Sequence, residues 1–214
     1  MALYQGQKLT IKEKNALDDI EKLINEPIPA VEFVNSFNFG FRAINGNVIS
    51  LGLPDKGLVT LPESICHFSS IQDIVLFRNR LKILPESFSG LKSLKFLNLV
   101  DNRLSILPFS FNRLESLQNL YLNKNQLKVL PEDFGRLGSL QRLNLRNNQL
   151  RTLPASLSNL VNLESLWIRG NPLDEDARNI LYQLIERGTV IDITDEATGL
   201  KLERIKQFTR KQQK

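Results

Sequence analysis

Hydrophobic residues in the middle of this chain recur with a period of 23. Leu94, Leu117 and Leu140 open successive copies of the pattern, and in the first of these copies Leu97 and Leu99 follow in alternation with polar residues. The same copy continues with Asn102, Leu104, Leu107, Pro108, Phe111 and Leu114. Because alternating side chains of a strand share one face, the spacing predicts one short β-strand in each copy.

The pattern extends over residues 48–173 as five full copies and a partial sixth. Steps of 23 from Asn102 reach Asn79, Asn125, Asn148 and Asn171, whereas Lys56 holds the corresponding position of the first copy. An asparagine side chain can bond the backbone groups left open where a strand turns. A proline further along each full copy fixes the backbone at a second corner. Each copy is therefore expected to form one coil of a solenoid with parallel strands.

These motifs resemble the leucine-rich repeats of the common 23-residue class, in which Leu-Pro-x-x-Phe recurs. Leu-Pro-x-x-Phe stands here at residues 84–88, 107–111 and 130–134. The resemblance implies an α/β fold, a right-handed leucine-rich-repeat solenoid with a parallel β-sheet on its concave side. One coil buries too little apolar surface to be stable alone, so the flanking sequences are expected to cap the two ends.

Residues 1–47 predict an N-terminal cap made of a helix and a β-hairpin. The segment from Thr10 to Glu13 is typical of a capping box, and apolar residues then recur at helical spacing as far as Ile24. Asn45-Gly46 lies between two apolar runs and is a typical two-residue hairpin turn. The hairpin is expected to add an antiparallel strand beside the first repeat strand and to protect that edge.

Residues 174–193 predict a C-terminal cap, and residues 194–214 a basic tail. Asp174 can cap a helix with apolar residues on one face, and Gly188 ends it. A last short strand is expected at residues 190–193. The formal net charge of +5 comes from the last eleven residues, which carry five lysines and arginines and no acid. The high isoelectric point is therefore weak evidence for a nucleic-acid-binding body.

Residue usage favours a cytoplasmic protein. Cys66 is the only cysteine, so paired cysteines cannot close the ends of the solenoid, as they do in extracellular relatives of the family that the chain resembles. No run of 18 apolar residues predicts a membrane-spanning helix, and no basic-then-apolar leader opens the chain.

Candidate catalytic residues are sparse. Cys66 and His67 are adjacent in sequence at positions expected on the convex surface, and no second ligand cluster supports a metal. Glu63, Glu86 and Glu132 share one solvated repeat position rather than forming a carboxylate pair in a cleft. No glycine-rich phosphate loop is present. We expect no enzyme activity, no cofactor and no metal.

The strand register predicts two patches on the concave surface. An apolar patch is expected on the second and third strands, and a cationic patch on the fifth and sixth strands beside two aromatic residues. The residues of the first are Val75, Phe77, Phe96 and Val100, and those of the second are Tyr121, Arg142, Arg146, Trp167 and Arg169. The repeat columns place no acid against these arginines. Tryptophan, tyrosine and arginine are enriched in the hot spots of protein interfaces.

The sequence therefore predicts a non-catalytic module that binds another protein on its concave face. The expected partner has an acidic segment for the arginines and an apolar segment for the other patch. The family resemblance implies a recognition scaffold, including signalling roles with small GTPases and their regulators. The alternative is an anion-surface binder that contacts nucleic acid or acidic lipid through the basic tail.

Overall fold

A single parallel stack of strands dominates the computed structural model of this chain, which describes residues 1–192. Within those residues the elements are two short N-terminal strands, a helix, a hairpin, the repeat strands, a second helix and a last strand. Their bounds are β1 (Ala2–Tyr4), β2 (Gln7–Leu9), α1 (Ile11–Ile24), β3 (Gly40–Ile44), β4 (Asn47–Gly52), β5 (Asp73–Val75), β6 (Phe96–Asn98), β7 (Asn119–Tyr121), β8 (Arg142–Asn144), β9 (Ser165–Trp167), α2 (Glu175–Glu186) and β10 (Val190–Asp192).

The main sheet follows chain order from β3 to β10. The β3–β4 pair is antiparallel, and every later pair is parallel. Paired residues of neighbouring repeat strands are 23 positions apart in sequence, as are Ile74 and Leu97, and Leu97 and Leu120. The predicted period is thus the hydrogen-bonding register of the sheet, and the predicted solenoid fold is confirmed.

Short 3-10 helices form the wall opposite the sheet. Their bounds are Glu63–His67, Glu86–Gly90, Phe109–Arg113, Phe134–Arg136 and Ala155–Asn159. Phe88, Phe111 and Phe134 point from this wall into the core and are fully or almost fully buried. Phe109 belongs to the same wall but lies on its outer side and is 73% exposed. The repeat register therefore separates core from surface within a single Leu-Pro-x-x-Phe motif.

The repeat asparagines join neighbouring coils. In the middle of the stack, the side-chain oxygen of Asn125 accepts a hydrogen bond from the Leu104 amide at 3.0 Å. Its side-chain nitrogen donates to the carbonyls of Leu99 and Leu122, at 2.9 and 3.0 Å. The same bonds recur at the other repeat asparagines, which are all buried; they are Asn79, Asn102, Asn148 and Asn171.

The N-terminal cap has the predicted helix and hairpin. The Thr10 side chain accepts a hydrogen bond from the Glu13 amide, and α1 packs its apolar face on the first coil. Asn45 and Gly46 both have positive φ, as a two-residue turn of the primed type requires. The β1–β2 hairpin was not predicted, because strands of three residues with one buried side chain each leave no periodic signal.

The C-terminal cap agrees with prediction as far as the structure describes it. The Asp174 carboxylate accepts a hydrogen bond from the Ala177 amide at 2.9 Å and so begins α2. The last strand, β10, pairs in parallel with β9 and extends the sheet by one strand. Ile193 and the basic tail over residues 194–214 lie outside the described residues. The domain boundaries at residues 47, 173 and 193 stay predictions.

Neither helix of the described part has the length and the apolar character that crossing a membrane requires.

Emptying the aromatic column should destabilise the stack. Phe111 is 1% exposed, so Phe111→Ala should lower the free energy of unfolding by roughly 3–5 kcal/mol. Phe109→Ala is the matched control from the same helix and should cost well under about 1 kcal/mol, since the ring is mostly in solvent. Urea unfolding monitored by circular dichroism measures both values. Equal or reversed losses would show that the repeat register assigned here is wrong.

A buried carboxyl in α1 should give stability a definite pH dependence. Glu13 is 1% exposed, and its oxygens accept hydrogen bonds from the Val48 amide and the Thr10 hydroxyl. Burial raises the pKa of Glu13 above its ordinary value. A group whose pKa is higher in the folded state favours folding at low pH, and that contribution is lost as the pH rises through the folded-state pKa.

The Glu13→Gln variant isolates this contribution because it keeps the size of the side chain and removes the titration. The wild type should lose free energy of unfolding relative to Glu13→Gln as the pH rises from about 4 towards neutral. Urea unfolding of both proteins at several pH values measures the difference. A difference that stays constant, or that favours the wild type increasingly as the pH rises, would contradict the assignment.

Candidate binding surface

The concave surface is built from the outward-facing residues of the strands. Each of the repeat strands β5 to β9 has three residues, of which the middle one is a buried aliphatic residue and the outer two face away from the core. Parallel pairing stacks equivalent residues in columns about 4.8 Å apart. The surface is therefore an ordered grid whose composition changes along the solenoid axis.

The N-terminal part of this grid is covered by the chain itself. Residues 31–39, between α1 and β3, lie over β4 and β5, and Val75 is only 1% exposed as a result. Gly52 allows this close approach, because a Cβ at that position would lie 2.5 Å from the Asn38 carbonyl oxygen. The prediction that Val75 belongs to an open apolar patch is wrong. We call residues 31–39 the strap.

The strap is bonded to β3 at its first residue, has an internal hydrogen bond, and packs an aromatic ring on Phe77. The Val31 amide donates a hydrogen bond to the Phe41 carbonyl at 2.8 Å, and the Asn35 amide donates to the Asn38 side chain at 2.6 Å. The Phe37 ring meets the Phe77 ring edge to face, with 6.2 Å between their centroids. Phe77 is therefore half-buried under the strap rather than freely available to a partner.

On the concave face the strap reaches as far as β6, the third repeat strand. The Asn98 side chain lies 3.5 Å from the Ser36 hydroxyl, which is at the limit of a hydrogen bond. Beyond that point the Phe96 and Tyr121 rings pack at an angle of 46° with their centroids 5.5 Å apart, and both remain partly exposed. The open concave surface thus begins at Phe96.

Two of the predicted arginines have acidic neighbours, which corrects the expectation that none faces them. The Arg146 Nε donates to the Asp192 carboxylate at 2.5 Å, and a terminal nitrogen of the same guanidinium contacts the same oxygen. Asp192 lies beside Trp167 because β10 continues the columns by one more strand. The repeat pattern could not show this neighbour, since β10 belongs to the C-terminal cap.

Arg142 is held more loosely and Arg169 is open. One terminal nitrogen of Arg142 lies 3.5 Å from the Glu164 carboxylate, and the other donates to the Asn119 side chain at 3.2 Å. Arg169 is exposed, and within residues 1–192 it takes part in none of the ion pairs. Together with partly exposed Tyr121 and Trp167, these side chains form a basic and aromatic surface on the last three repeat strands.

The turn that follows each strand restricts the next column. Asp55, Arg78, Asp101 and Lys124 all adopt a left-handed backbone with φ between 56° and 58°. Their charges alternate in sign along the column, and Arg78 lies 3.8 Å from Asp101. This column therefore sets the turn geometry and adds little net charge to the concave face.

The described residues contain no group of three histidine, cysteine or acidic side chains placed to hold a metal ion. Cys66 is half-buried and His67 exposed on a 3-10 helix of the convex wall, away from the concave arginines. We find no arrangement of a nucleophile and a base around them.

Two models of protein families match this chain, and both describe leucine-rich repeats. The family model described as leucine-rich repeat region matches residues 90–186. A second family model, described as leucine rich repeat, matches residues 47–104. Among solved structures, a leucine-rich-repeat protein of Leptospira interrogans is 25% identical over 67% of this chain, with a TM-score of 0.33. The match spans 54% of that protein's chain. No curated protein matches this sequence.

The two family models overlap and together cover residues 47–186, which include every repeat strand from β4 to β9 and the helix α2. The chain belongs to the leucine-rich-repeat proteins.

Proposed function

We propose that this protein is a non-catalytic interaction module that binds another protein on the C-terminal half of its concave face. Leucine-rich-repeat domains generally bind proteins and are usually non-catalytic, and the family matches include no catalytic domain. One observation carries the choice of surface. The strap covers β4 and β5, whereas Tyr121, Arg142, Trp167 and Arg169 remain accessible on β7 to β9 and just beyond.

The exposed residues suit protein recognition. Trp167 and Tyr121 offer large apolar surfaces with few rotatable bonds, so these side chains lose little conformational entropy when a partner binds. Both rings rise from strands whose backbones are bonded on either side, which keeps them in place before the partner arrives. Little binding free energy is then lost to rearrangement of these side chains.

Charge defines the partner further. Arg169 carries an exposed guanidinium, and the contact of Arg142 with Glu164 is long enough at 3.5 Å to be exchanged for a partner carboxylate. Arginine can grip a carboxylate with two parallel hydrogen bonds. We therefore infer a partner with an acidic segment over Arg142 and Arg169. An apolar segment would contact Phe96, an accessible residue of the predicted apolar patch, and the neighbouring Tyr121 ring.

Arg146 has a different role in this proposal. Its guanidinium holds Asp192, so it fastens β10 beside β9 and closes the C-terminal end of the sheet. Replacing it would leave a half-buried carboxylate without its partner and disturb the cap. Arg146 is therefore a poor residue for testing binding, and Arg169 a good one.

Finer assignments rest on the family resemblance alone. The Leu-Pro-x-x-Phe motifs and the single cysteine suggest the intracellular, cysteine-poor type of repeat, and with it a cytoplasmic scaffold in signalling by small GTPases. Anion binding through the basic tail is the alternative function, favoured by five cations without an acid in the last eleven residues.

The experiment is quantitative affinity capture with the intact chain, compared with two variants. Trp167→Ala and Arg169→Glu should each weaken retention of the partner by roughly 2 kcal/mol or more, because both remove hot-spot residues. Neither change empties the core, so the free energy of unfolding should stay within about 0.5 kcal/mol of the wild type. Arg113→Glu, on the convex wall, is the matched control and should retain the partner fully.

Normal retention of a partner by both concave variants would contradict the proposed surface. Salt dependence separates the alternative function. Binding of phosphate-rich surfaces by the tail should weaken steeply between low and moderate salt and should survive Trp167→Ala. Binding on the concave face should depend less steeply on salt, and Trp167→Ala should weaken it.

A further inference from the structure

One flank of the solenoid, between the strand ends and the 3-10 helices, is strongly basic. We call this surface the basic flank; its cations are Arg78, Arg80, Lys82, Arg103, Lys124, Lys128 and Arg151. Asp55 and Asp101 lie among these cations, and Arg78 is engaged with Asp101. Asp174 adjoins the C-terminal end of the flank, where its amide donates to the Arg151 carbonyl at 2.8 Å. The other six cations take part in no ion pair within the described chain. None of these residues is among those proposed above to bind a partner, although Arg78 and Lys124 stand at the edge of the concave face.

An apolar stripe runs beside these cations. Ile83, Ile106 and Val129 occupy one repeat position and are 53%, 51% and 51% exposed. Single exposed aliphatic residues are ordinary on protein surfaces. Here, however, the three residues lie in consecutive coils. Lys82 directly precedes Ile83 in sequence, and Lys128 directly precedes Val129. The solenoid thus presents a continuous apolar line bordered by positive charge.

Backbone hydrogen bonds fix the spacing of the stripe. The Ser105 amide donates to the Lys82 carbonyl, and the Lys128 amide donates to the Ser105 carbonyl, both at 3.4 Å. Adjacent coils are therefore about 5 Å apart along this line. One turn of an α-helix rises about 5.4 Å, so apolar residues of a helix spaced one turn apart match the stripe. Same-face residues of an extended strand are about 6.7 Å apart and do not.

A groove continues the basic flank towards the concave edge. It has a volume of about 410 Å³ and is lined by Asp55, Gly57, Arg78, Asn79, Arg80, Asp101, Asn102 and Arg103. Gly57 holds the position that Arg80 and Arg103 hold in the next two coils, and the space around it is open. The missing side chain leaves the guanidinium groups of those arginines accessible to a carboxylate.

The chemistry favours an acidic protein segment over nucleic acid. Proteins that bind single-stranded nucleic acid stack bases on aromatic side chains, whereas the exposed apolar residues of this flank are aliphatic. Aliphatic side chains beside cations complement a helix with leucines on one face and acids along its border. We propose that the basic flank binds an acidic amphipathic helix of another protein, which lies along the solenoid axis with one helical turn per coil.

The test uses the full chain and a labelled synthetic helix-forming peptide with leucines one turn apart and glutamates beside them. Fluorescence anisotropy measures its dissociation constant. Three substitutions borrow residues that the same repeat positions hold elsewhere in this chain: Arg103→Gln, Lys128→Ser and Ile106→Thr, as at Gln126, Ser105 and Thr152. Because the repeat already accommodates these residues, the combined variant should fold normally and raise the dissociation constant at least tenfold.

Matched controls separate this site from the concave face and from simple charge attraction. Trp167→Ala and Arg113→Glu should leave the dissociation constant unchanged. A peptide with a central proline, and one with lysines in place of glutamates, should bind at least tenfold more weakly than the original.

Several outcomes would overturn the proposal. These are failure of the acidic peptide to bind, binding that the flank variant does not weaken, or binding lost on Trp167→Ala. Binding of phosphatidylserine vesicles or of poly(dT) with the same flank dependence, but without binding of the peptide, would assign the surface to a membrane or to nucleic acid instead.

Discussion

The hydrogen bonds of the repeat asparagines are the constraint on which this structure depends. Each asparagine accepts a hydrogen bond from the preceding coil and donates to carbonyls of both coils, as Asn125 does with Leu104, Leu99 and Leu122. All of these groups are buried, so a partner lost at any one of them would leave an unsatisfied polar group. An aspartate could accept but not donate, and an aliphatic residue could do neither. The asparagines therefore lock each coil to the next in one register, and the surface columns follow from that register.

The first coil has no preceding coil to which a repeat asparagine could bond. Lys56 replaces the asparagine there, and its ammonium contacts Glu26 at 2.6 Å and the Phe39 ring at 3.5 Å. Those contacts belong to the N-terminal cap, which continues into the strap over the concave face. The same segment that closes the stack thus removes its first strands from the available surface. The surfaces proposed for recognition therefore lie on the later coils and on the basic flank, where charged and apolar side chains take no part in the bonds of the repeat asparagines.

The sequence predicted whatever depends on the period, and failed where the period ends. The strands, the asparagine bonds and the caps all follow from local patterns that repeat or from well-defined capping signals. The burial of Val75 does not, because a non-repeating segment covers it, although Gly52 in an otherwise bulky column was a usable signal. The pairing of Arg146 with Asp192 was also missed, since only the register of β10 brings them together. Contacts between a repeat and its caps are set by packing in three dimensions and leave no spacing to read.

Native-state hydrogen exchange of individual amides tests the central claim most directly. The amides of Leu81, Leu104 and Leu127 donate to asparagine side chains rather than to backbone carbonyls. If the asparagines lock the coils, these turn amides should have the same free energy of opening as amides of the neighbouring strands, because each coil can open only as a unit. Turn amides that exchange far faster than the strand amides of the same coil would contradict the account, since the stack would then be held by the sheet alone.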